Sequence, residues 1–456
     1  MNKVRKDRPF FTIVFLLALF LRLGLALVNR EANDDHLEEV RLIMKTQRLP
    51  DMLDCRECFH PKMFYGSAAV LLEVFAINDP EAQIVFLQLL NVLSGAITLL
   101  VVWKFISEYP SENEMPKLLA FALVALNPKI IAVNAQISND TFVTMFSTLA
   151  LYFAYRFFKE PGPVLFGLVT LFNVLAVATK APGWTAFAAI TLSFLVVAWT
   201  QRSKKALLYA PLLLVSVLAL TALNPLSQVV TNYQKFGSPI IFNGERLPLP
   251  KLVTPTVNYK NYYFRPGIVS IQDGFLTFKM IYLLKYPLIT NEQYGYPPQR
   301  TSFWTMLYAD SNSLHFQNWP VSWQTQTDEN FNISRGIFIL ALVPAFMLIA
   351  GFVLELIRFL RNMRERSQPE VPALFLLTCG GYIAFLMLTN LLYRDFALIK
   401  LNYILPGLLA FTWLFMRGAE MFLKHWLVVG ALIVLLGFYV VDVTSMFFQL
   451  YRLVAL

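Results

Sequence analysis

The sequence predicts an all-α integral membrane protein with about eleven transmembrane helices. Three observations carry that reading. Apolar runs of roughly 16–23 residues recur from end to end, each near the ~20 needed to cross the hydrocarbon core. Only 15% of the 456 residues are charged and 57% are apolar, with a mean hydropathy of +0.55, whereas a soluble domain carries about 25% charged residues. Finally, Lys and Arg collect at the ends of alternate runs, as the positive-inside rule requires. In lipid each segment must satisfy its own backbone polar groups, so these runs are helices. The net charge of +9 therefore belongs to helix ends facing anionic lipid and does not argue for a nucleic-acid partner.

In chain order, Lys3, Arg5, Lys6 and Arg8 precede the first run and place the N-terminus in the cytoplasm. The run Phe10–Val28 lacks a small-residue cleavage site and reads as a retained span. Arg22 lies inside it, either snorkelling to the interface or pairing with an anionic head group. The polar stretch Asn33–Tyr65 follows on the outer side. It opens on Asp34-Asp35-His36 and closes on His60-Pro61-Lys62. Asp35 with Glu38 three residues on is a helix-start pattern, and Leu37, Val40, Ile43 and Met44 share one face, so a short amphipathic helix is expected at the membrane surface. The run Met63–Ile77 is interrupted by Glu73 and is too short to span.

With that run not crossing, the remaining spans alternate consistently. They are Ile84–Val102, Leu118–Ala135, Thr141–Tyr155, Val164–Ala178, Trp184–Trp199, Ala206–Leu223, Gly336–Ile357, Ala373–Leu392, Leu401–Met416 and Trp426–Val441. Residues 1–223 then form a transmembrane core containing the first outer loop, 29–83. Residues 224–335 form a long outer loop, and 336–456 the C-terminal helices. The long loop exceeds any simple connector and is expected to cover an outer cavity. Within it, Asn232–Pro239 reads as the end of a strand or helix followed by a turn, and Ser302–Tyr308 as a surface helix with aromatic anchors. Three cysteines are too few for a disulfide scaffold. Cys379 sits in an apolar span, and Cys55 and Cys58 form a C-x-x-C suited to a local disulfide, with a redox or metal site as the alternative.

The chemistry concentrates on the acidic pair. Adjacent Asp34 and Asp35 point different ways at a helix start, so one can cap the helix while the other faces a cleft. A carboxylate partly desolvated at the interface is suited to accept a proton from a hydroxyl. A basic N-terminus, one span, and an outer loop opening with an acidic pair and closing with a Pro-containing, aromatic-ended motif resemble the GT-C glycosyltransferases, among them protein O-mannosyltransferases and the lipid A aminoarabinose transferase. Asn127-Pro128 with Ser138-Asn139-Asp140, then Lys180-Ala181-Pro182-Gly183, then Lys400-Leu401-Asn402-Tyr403 with Pro406 continue the likeness in order.

The resemblance implies a GT-C-type helical core and inverting sugar transfer from a polyprenyl-phosphate-linked donor. The acceptor would be a hydroxyl of a protein, lipid or glycan on the extracytoplasmic side. By position, Asp34 would be the general base and Asp35 a second candidate. His60 and Lys62 depart from the family's commoner Pro-Pro-Leu pattern, and would touch the donor sugar or phosphate or only seat the next helix; Tyr65 is a further candidate for binding the donor or substrate. A leaving phosphate needs cations near the outer face, and Arg22, Lys180, Arg394, Lys400 and the neighbouring Tyr403 are the candidates. No cofactor is assigned; a divalent cation near Asp34, Asp35 and His36 is the alternative. The setting expected is a bacterial inner membrane. The rival reading is a transporter or flippase for a lipid-linked solute, which needs charges lining a path across the bilayer; a non-catalytic assembly factor is the third.

Overall fold

The computed structural model describes residues 8–28, 36–55, 57–111, 113–201, 204–241, 274–287, 302–313, 328–367, 369–393 and 399–454. Asp34, Asp35 and Arg394 lie outside the described residues. Everything regular among them is helical. In chain order the helices are α1 (Arg8–Val28), α2 (His36–Thr46), α3 (Met63–Val74), α4 (Pro80–Ser107), α5 (Met115–Leu126), α6 (Pro128–Ala135), α7 (Asn139–Lys159), α8 (Pro163–Val177), α9 (Gly183–Gln201), α10 (Lys204–Leu223) and α11 (Val229–Phe236). There follow α12 (Met280–Lys285), α13 (Phe303–Asn312), α14 (Asp328–Leu340), α15 (Leu342–Glu365), α16 (Glu370–Tyr393), α17 (Leu408–Phe422) and α18 (Trp426–Val454).

Among the described residues, 6 helices are long and apolar enough to cross a membrane, or 7 if the bent pair α5–α6 is one span, and α3, α8 and α10 include shorter apolar stretches. The expected number of about eleven is therefore not reached by length and composition alone. The run Leu118–Ala135, expected as one span, bends by 46° at Asn127–Pro128. Pro128 has no N–H for the helical ladder, and the Asn127 side chain starts a new helix by accepting from Ile130 N at 3.0 Å. Arg22 closes the broken end. Its Nε donates to Asn134 Oδ1 at 2.9 Å and its Nη1 to the carbonyls of Ala18 and Ala125 at 3.0 and 2.8 Å. The guanidinium is wholly buried, so neither snorkelling nor a head-group contact describes it.

Packing is closest where α15 crosses α17. A Cβ on Gly351 would fall 1.8 Å from the Leu414 carbonyl oxygen, and one on Gly418 1.8 Å from that of Met347. Only glycine lets two backbones touch in this way. Next to the crossing, buried Glu355 receives Arg417 Nε at 3.0 Å. Across the bundle, at the C-terminal end of α7, Arg156 pairs with Glu108 at 3.2 Å. Asp140 stands at the other end of α7, 16 residues away, or about 24 Å at 1.5 Å per residue. The expected surface helix at Ser302–Tyr308 exists as α13, but it is docked into the core. Phe303 and Asp310 are buried, and Asn127 Nδ2 donates to the Ser311 carbonyl at 2.9 Å. The stretch Asn232–Pro239 resolves into the end of α11 and a turn, with Gly237 at φ +71°.

Candidate active site

The site lies where four connections meet. The start of α3 is the first. Lys62 N donates to the Leu226 carbonyl at 2.6 Å and Met63 N to that of Ala178 at 3.0 Å. Two amides that a helix start leaves without intrahelical partners are thus satisfied by distant carbonyls, and α3 is pinned beside the α8–α9 turn that carries Lys180. That turn is braced from α16 by Tyr382, whose hydroxyl donates to the Pro182 carbonyl at 3.0 Å.

The α6–α7 connection is held from α4. Gln88 Nε2 donates to the Ala135 carbonyl at 2.9 Å and Asn91 Nδ2 to that of Ser138 at 3.0 Å. Ser138 caps α7 by accepting from Asp140 N at 3.1 Å. Asp140 is thereby fixed in the first helical turn, where the helix dipole favours a carboxylate. The turn 400–403 is the fourth connection. Leu401 N donates to the Asp310 carboxylate, which pairs with Lys129 at 2.8 Å, so α13 and α6 together set the position of Lys400, Asn402 and Tyr403.

Two linked polar clusters result. In the first, Lys180 Nζ donates to Asp140 Oδ1 at 2.7 Å, while Asp140 Oδ2 accepts from Asn402 Nδ2 and Ser138 Oγ, both at 3.1 Å. The Lys180 ammonium lies 5.4 Å from the centre of the Tyr403 ring. Burial alone would lower the Lys180 pKa; Asp140 and then Tyr403 outweigh it, and the ammonium is held above its ordinary value. In the second, the Tyr65 hydroxyl lies 2.7 Å from His36 Nδ1 and accepts from Asn139 Nδ2 at 3.1 Å. Asn139 and Asp140 are consecutive, so the clusters share one helix start. His60 stacks near His36 at 6.1 Å and lies 3.3 Å from Glu57.

The structure thus gathers His60, Tyr65, Lys180 and Tyr403 from the sequence candidates. Lys400 is half-buried at the head of the same turn. Lys62 is close in sequence but turned inward, donating to Glu39 Oε1 at 2.5 Å and to the Cys58 carbonyl at 2.6 Å; it seats the helix that follows. Arg22 is bound to the α5–α6 break, with Nη2 buried and without a partner among the described residues. Asp34 and Asp35 precede His36 in the sequence but lie outside the described residues, as does Arg394. Sequence reasoning quoted Asp140 and Asn402 only as motif residues, with no role of their own, and passed over Glu57. Ser138 is of an N-cap residue type, yet nothing local couples Asp140 to a lysine forty positions on. Cys55 and Cys58 form the expected local disulfide, and Cys379 is free and buried.

A metal needs converging donors. Among the described residues the one group of three or more is Glu39, Cys55 and Cys58, and two of its members are joined as a disulfide, which removes the thiolates a metal would bind. Of the residues suggested for a cation, His36 has Nδ1 engaged with Tyr65.

Residues 60–225 match the family model described as dolichyl-phosphate-mannose-protein mannosyltransferase. No curated protein sequence matches the chain. Among solved structures, the chain is similar to the archaeal oligosaccharyltransferase AglB from Archaeoglobus fulgidus in complex with an inhibitory peptide and a dolichol-phosphate. Identity is 13% and the TM-score 0.50, over 96% of this chain and 56% of that one. The same enzyme in complex with zinc and sulfate gives 14% identity and a TM-score of 0.52, over 94% and 53%. ArnT from Cupriavidus metallidurans bound to undecaprenyl phosphate shares 16% identity over 90% and 76%, with a TM-score of 0.34 that is too loose to argue from. The chain spans a little over half the length of the oligosaccharyltransferase. Residues 60–225 thus resemble that mannosyltransferase family, and the all-helical membrane architecture of the chain is similar to that of the oligosaccharyltransferase.

Proposed function

We propose that the chain transfers a sugar from a polyprenyl-phosphate-linked donor to an acceptor hydroxyl on the extracytoplasmic side of a bacterial inner membrane, with inversion. One observation carries the reading: a lysine kept charged in a buried site, Lys180 on Asp140, beside Asn139, which shares the Tyr65 hydroxyl with His36 at the start of α2. As the glycosidic bond to phosphate breaks, negative charge grows on the departing oxygen, and a desolvated cation acts on it more strongly than one in water. Lys180 is assigned that role, with Lys400 and Arg394 as further cations and Tyr403 as its aromatic neighbour. Asp34 is assigned as general base toward the acceptor hydroxyl and Asp35 as its alternate. Tyr65, oriented by His36 and Asn139, and His60 are assigned to the sugar. Arg22 is assigned a positioning role, since its three donated hydrogen bonds go to Asn134 and to the helix carbonyls of Ala18 and Ala125.

The acceptor is a protein, a lipid or a glycan. Zinc accompanies one structure of the oligosaccharyltransferase; for this chain a divalent cation near Asp34, Asp35 and His36 is a separate question, and no step here depends on it.

The test pairs lipid analysis with one substitution. Mass spectrometry of the purified protein should detect a co-purifying polyprenyl phosphate. Asp34→Asn should retain that lipid and the folded state while losing transfer by more than about a thousandfold, as removal of a general base with its binding site intact implies. Normal transfer by Asp34→Asn removes the base assignment. Absence of any polyprenyl phosphate, together with failure to bind added undecaprenyl phosphate, removes the donor.

A further inference from the structure

Glu39 is a buried acid for which the sugar chemistry has no use. It projects from α2 into the fold and is 0% exposed. Its Oε1 accepts from Lys62 Nζ, while Oε2 is buried with no hydrogen-bond partner. A carboxyl oxygen of Glu39 lies within 4.8 Å of both Cys55 Sγ and Cys58 Sγ. The two cysteines differ in access: Cys55 is half-buried, while Cys58 is 1% exposed. The disulfide therefore offers one sulfur to solvent and sets the other against an incompletely satisfied carboxyl.

A disulfide that only braces a loop gains nothing from this arrangement, because a buried polar atom without a partner costs about 1–3 kcal/mol. Thiol–disulfide exchange does use it. Exchange needs a sulfur open to attack and a proton for the thiolate that leaves. We propose that Cys55–Cys58 is an exchangeable disulfide, opened and reformed by an external dithiol, with Glu39 carrying the proton of Cys58.

The chemistry balances as a two-electron exchange. A thiolate of the dithiol attacks Cys55 Sγ, and a mixed disulfide forms as the Cys55–Cys58 bond breaks. Cys58 Sγ leaves with the bonding pair and takes the proton of the Glu39 carboxylic acid. The second thiolate of the dithiol then attacks its own sulfur in the mixed disulfide, and Cys55 departs as a thiolate that is protonated from water. The dithiol loses two electrons and two protons; the protein gains both, and Glu39 is reprotonated by what the dithiol released. Burial raises the Glu39 carboxyl to about 8 against the opposing pull of Lys62, and Glu57 adds to the rise, so the acid holds its proton at neutral pH. Around the pair, Asp51 and Asp54 also act on Lys62, and they are themselves held by Lys235 and Arg48.

The experiment uses the full chain in lipid nanodiscs with dithiothreitol, thiols being trapped by alkylation and counted by mass spectrometry. The folded protein should reduce at Cys55–Cys58, and Glu39→Gln should reduce about tenfold more slowly at pH 7, the size of effect expected for a lost proton donor. Single-cysteine variants need no change at Glu39. Cys58→Ser, which leaves Cys55, should attack the disulfide of dithiobis(nitrobenzoate), forming a mixed disulfide and releasing thionitrobenzoate, at least about tenfold faster than Cys55→Ser, because only the accessible thiolate reacts. A disulfide that resists dithiothreitol until the protein unfolds overturns the proposal, as do equal rates for the two serine variants or a wild-type rate for folded Glu39→Gln. No sugar transfer enters these measurements, so they stand or fall apart from the glycosyltransferase reading.

Discussion

Replacing Asp140 by Asn keeps the shape of the side chain and removes the charge that Lys180 answers. Both side chains are 7% exposed, so the ammonium is left in a dry site with no counter-ion. Removing one partner of a buried pair costs about 3–5 kcal/mol. With an unfolding entropy of about 2.1 cal/mol/K per residue, this chain has roughly 1 kcal/mol/K, which makes the loss about 3–5 °C in Tm. Lys180→Met alone strands the carboxylate and should lower Tm by a similar amount. In the double variant neither charge remains, and Tm should rise above that of either single variant, a coupling of about 2–3 kcal/mol across the contact. Transfer should behave differently. Both singles and the double should lose at least about a hundredfold in rate, because the cation facing the leaving phosphate is gone or misplaced. Thermal unfolding in detergent and transfer from a polyprenyl-phosphate sugar donor measure the two quantities separately. If the single losses simply add in the double, the 2.7 Å pair is not coupled and the reasoning fails. A double variant with normal transfer refutes the role given to Lys180.

Two further outcomes follow from geometry already described. Glu39 has a folded pKa of about 8 against 4.5 for the free group, so its proton favours the folded state. That contribution is complete below pH 4.5 and is lost as pH rises through 8. Burial lowers Lys62 in the wild type, and Glu39 opposes that fall through its charge and hydrogen bond; in Glu39→Gln the opposition weakens and Lys62 falls further, which makes the variant gain stability as pH rises and so adds to the difference in the same direction. Between pH 5 and 8 the wild type should lose stability relative to Glu39→Gln, on the order of a few kcal/mol, as a falling difference in Tm; a difference independent of pH contradicts this. At the α15–α17 crossing, Gly351→Ala or Gly418→Ala should each reduce folded protein severely, since a Cβ would meet a carbonyl oxygen at 1.8 Å. Retention of wild-type Tm in size-exclusion-purified material would show that the helices can part without loss.

The helices were legible because an apolar run in lipid has no other way to satisfy its backbone. The amphipathic α2 was legible from Leu37, Val40, Ile43 and Met44, and the disulfide from the spacing of Cys55 and Cys58. The bend at Asn127–Pro128 was missed, since Leu118–Ala135 was expected as one span, although a proline preceded by a capping asparagine stands there. What could not be read were contacts whose partners are far apart in sequence. Arg22 meets Asn134 and the Ala125 carbonyl, and Asp310 meets Lys129 and Leu401. Ser302–Tyr308 looked like a surface helix because its aromatics suit an interface, but only the fold shows that Asp310 and Ser311 are claimed by α6. Glu39 is buried together with His36, Leu37 and Val40 in the first turns of α2, off the apolar stripe, so the apolar pattern alone gives no sign of it.

Two of the buried lysine–carboxylate pairs, Lys62–Glu39 at the start of α3 and Lys180–Asp140 at the α8–α9 turn, show why composition does not decide chemistry. Both carboxylates touch one lysine at short range. Asp140, however, also receives Asn402, Ser138 Oγ and the dipole of the α7 start, so each of its oxygens is satisfied and the pair stays ionised. Glu39 has Lys62 on one oxygen and nothing on the other, and Lys62 divides its donors between Glu39 and the Cys58 carbonyl. With fewer hydrogen bonds to offset desolvation, the neutral form gains. One pair therefore holds its charge, as the leaving-group role proposed for Lys180 requires, and the other holds a proton beside a sulfur, as the exchange proposed for Cys58 requires. Adding a donor to Glu39 Oε2, by Cys55→Ser in the Cys58→Ser background, should return the acid toward the ordinary carboxylate range. A 13C NMR titration of labelled Glu39 that still centred near 8 in that variant would show that burial alone, and not the missing hydrogen bond, sets its charge.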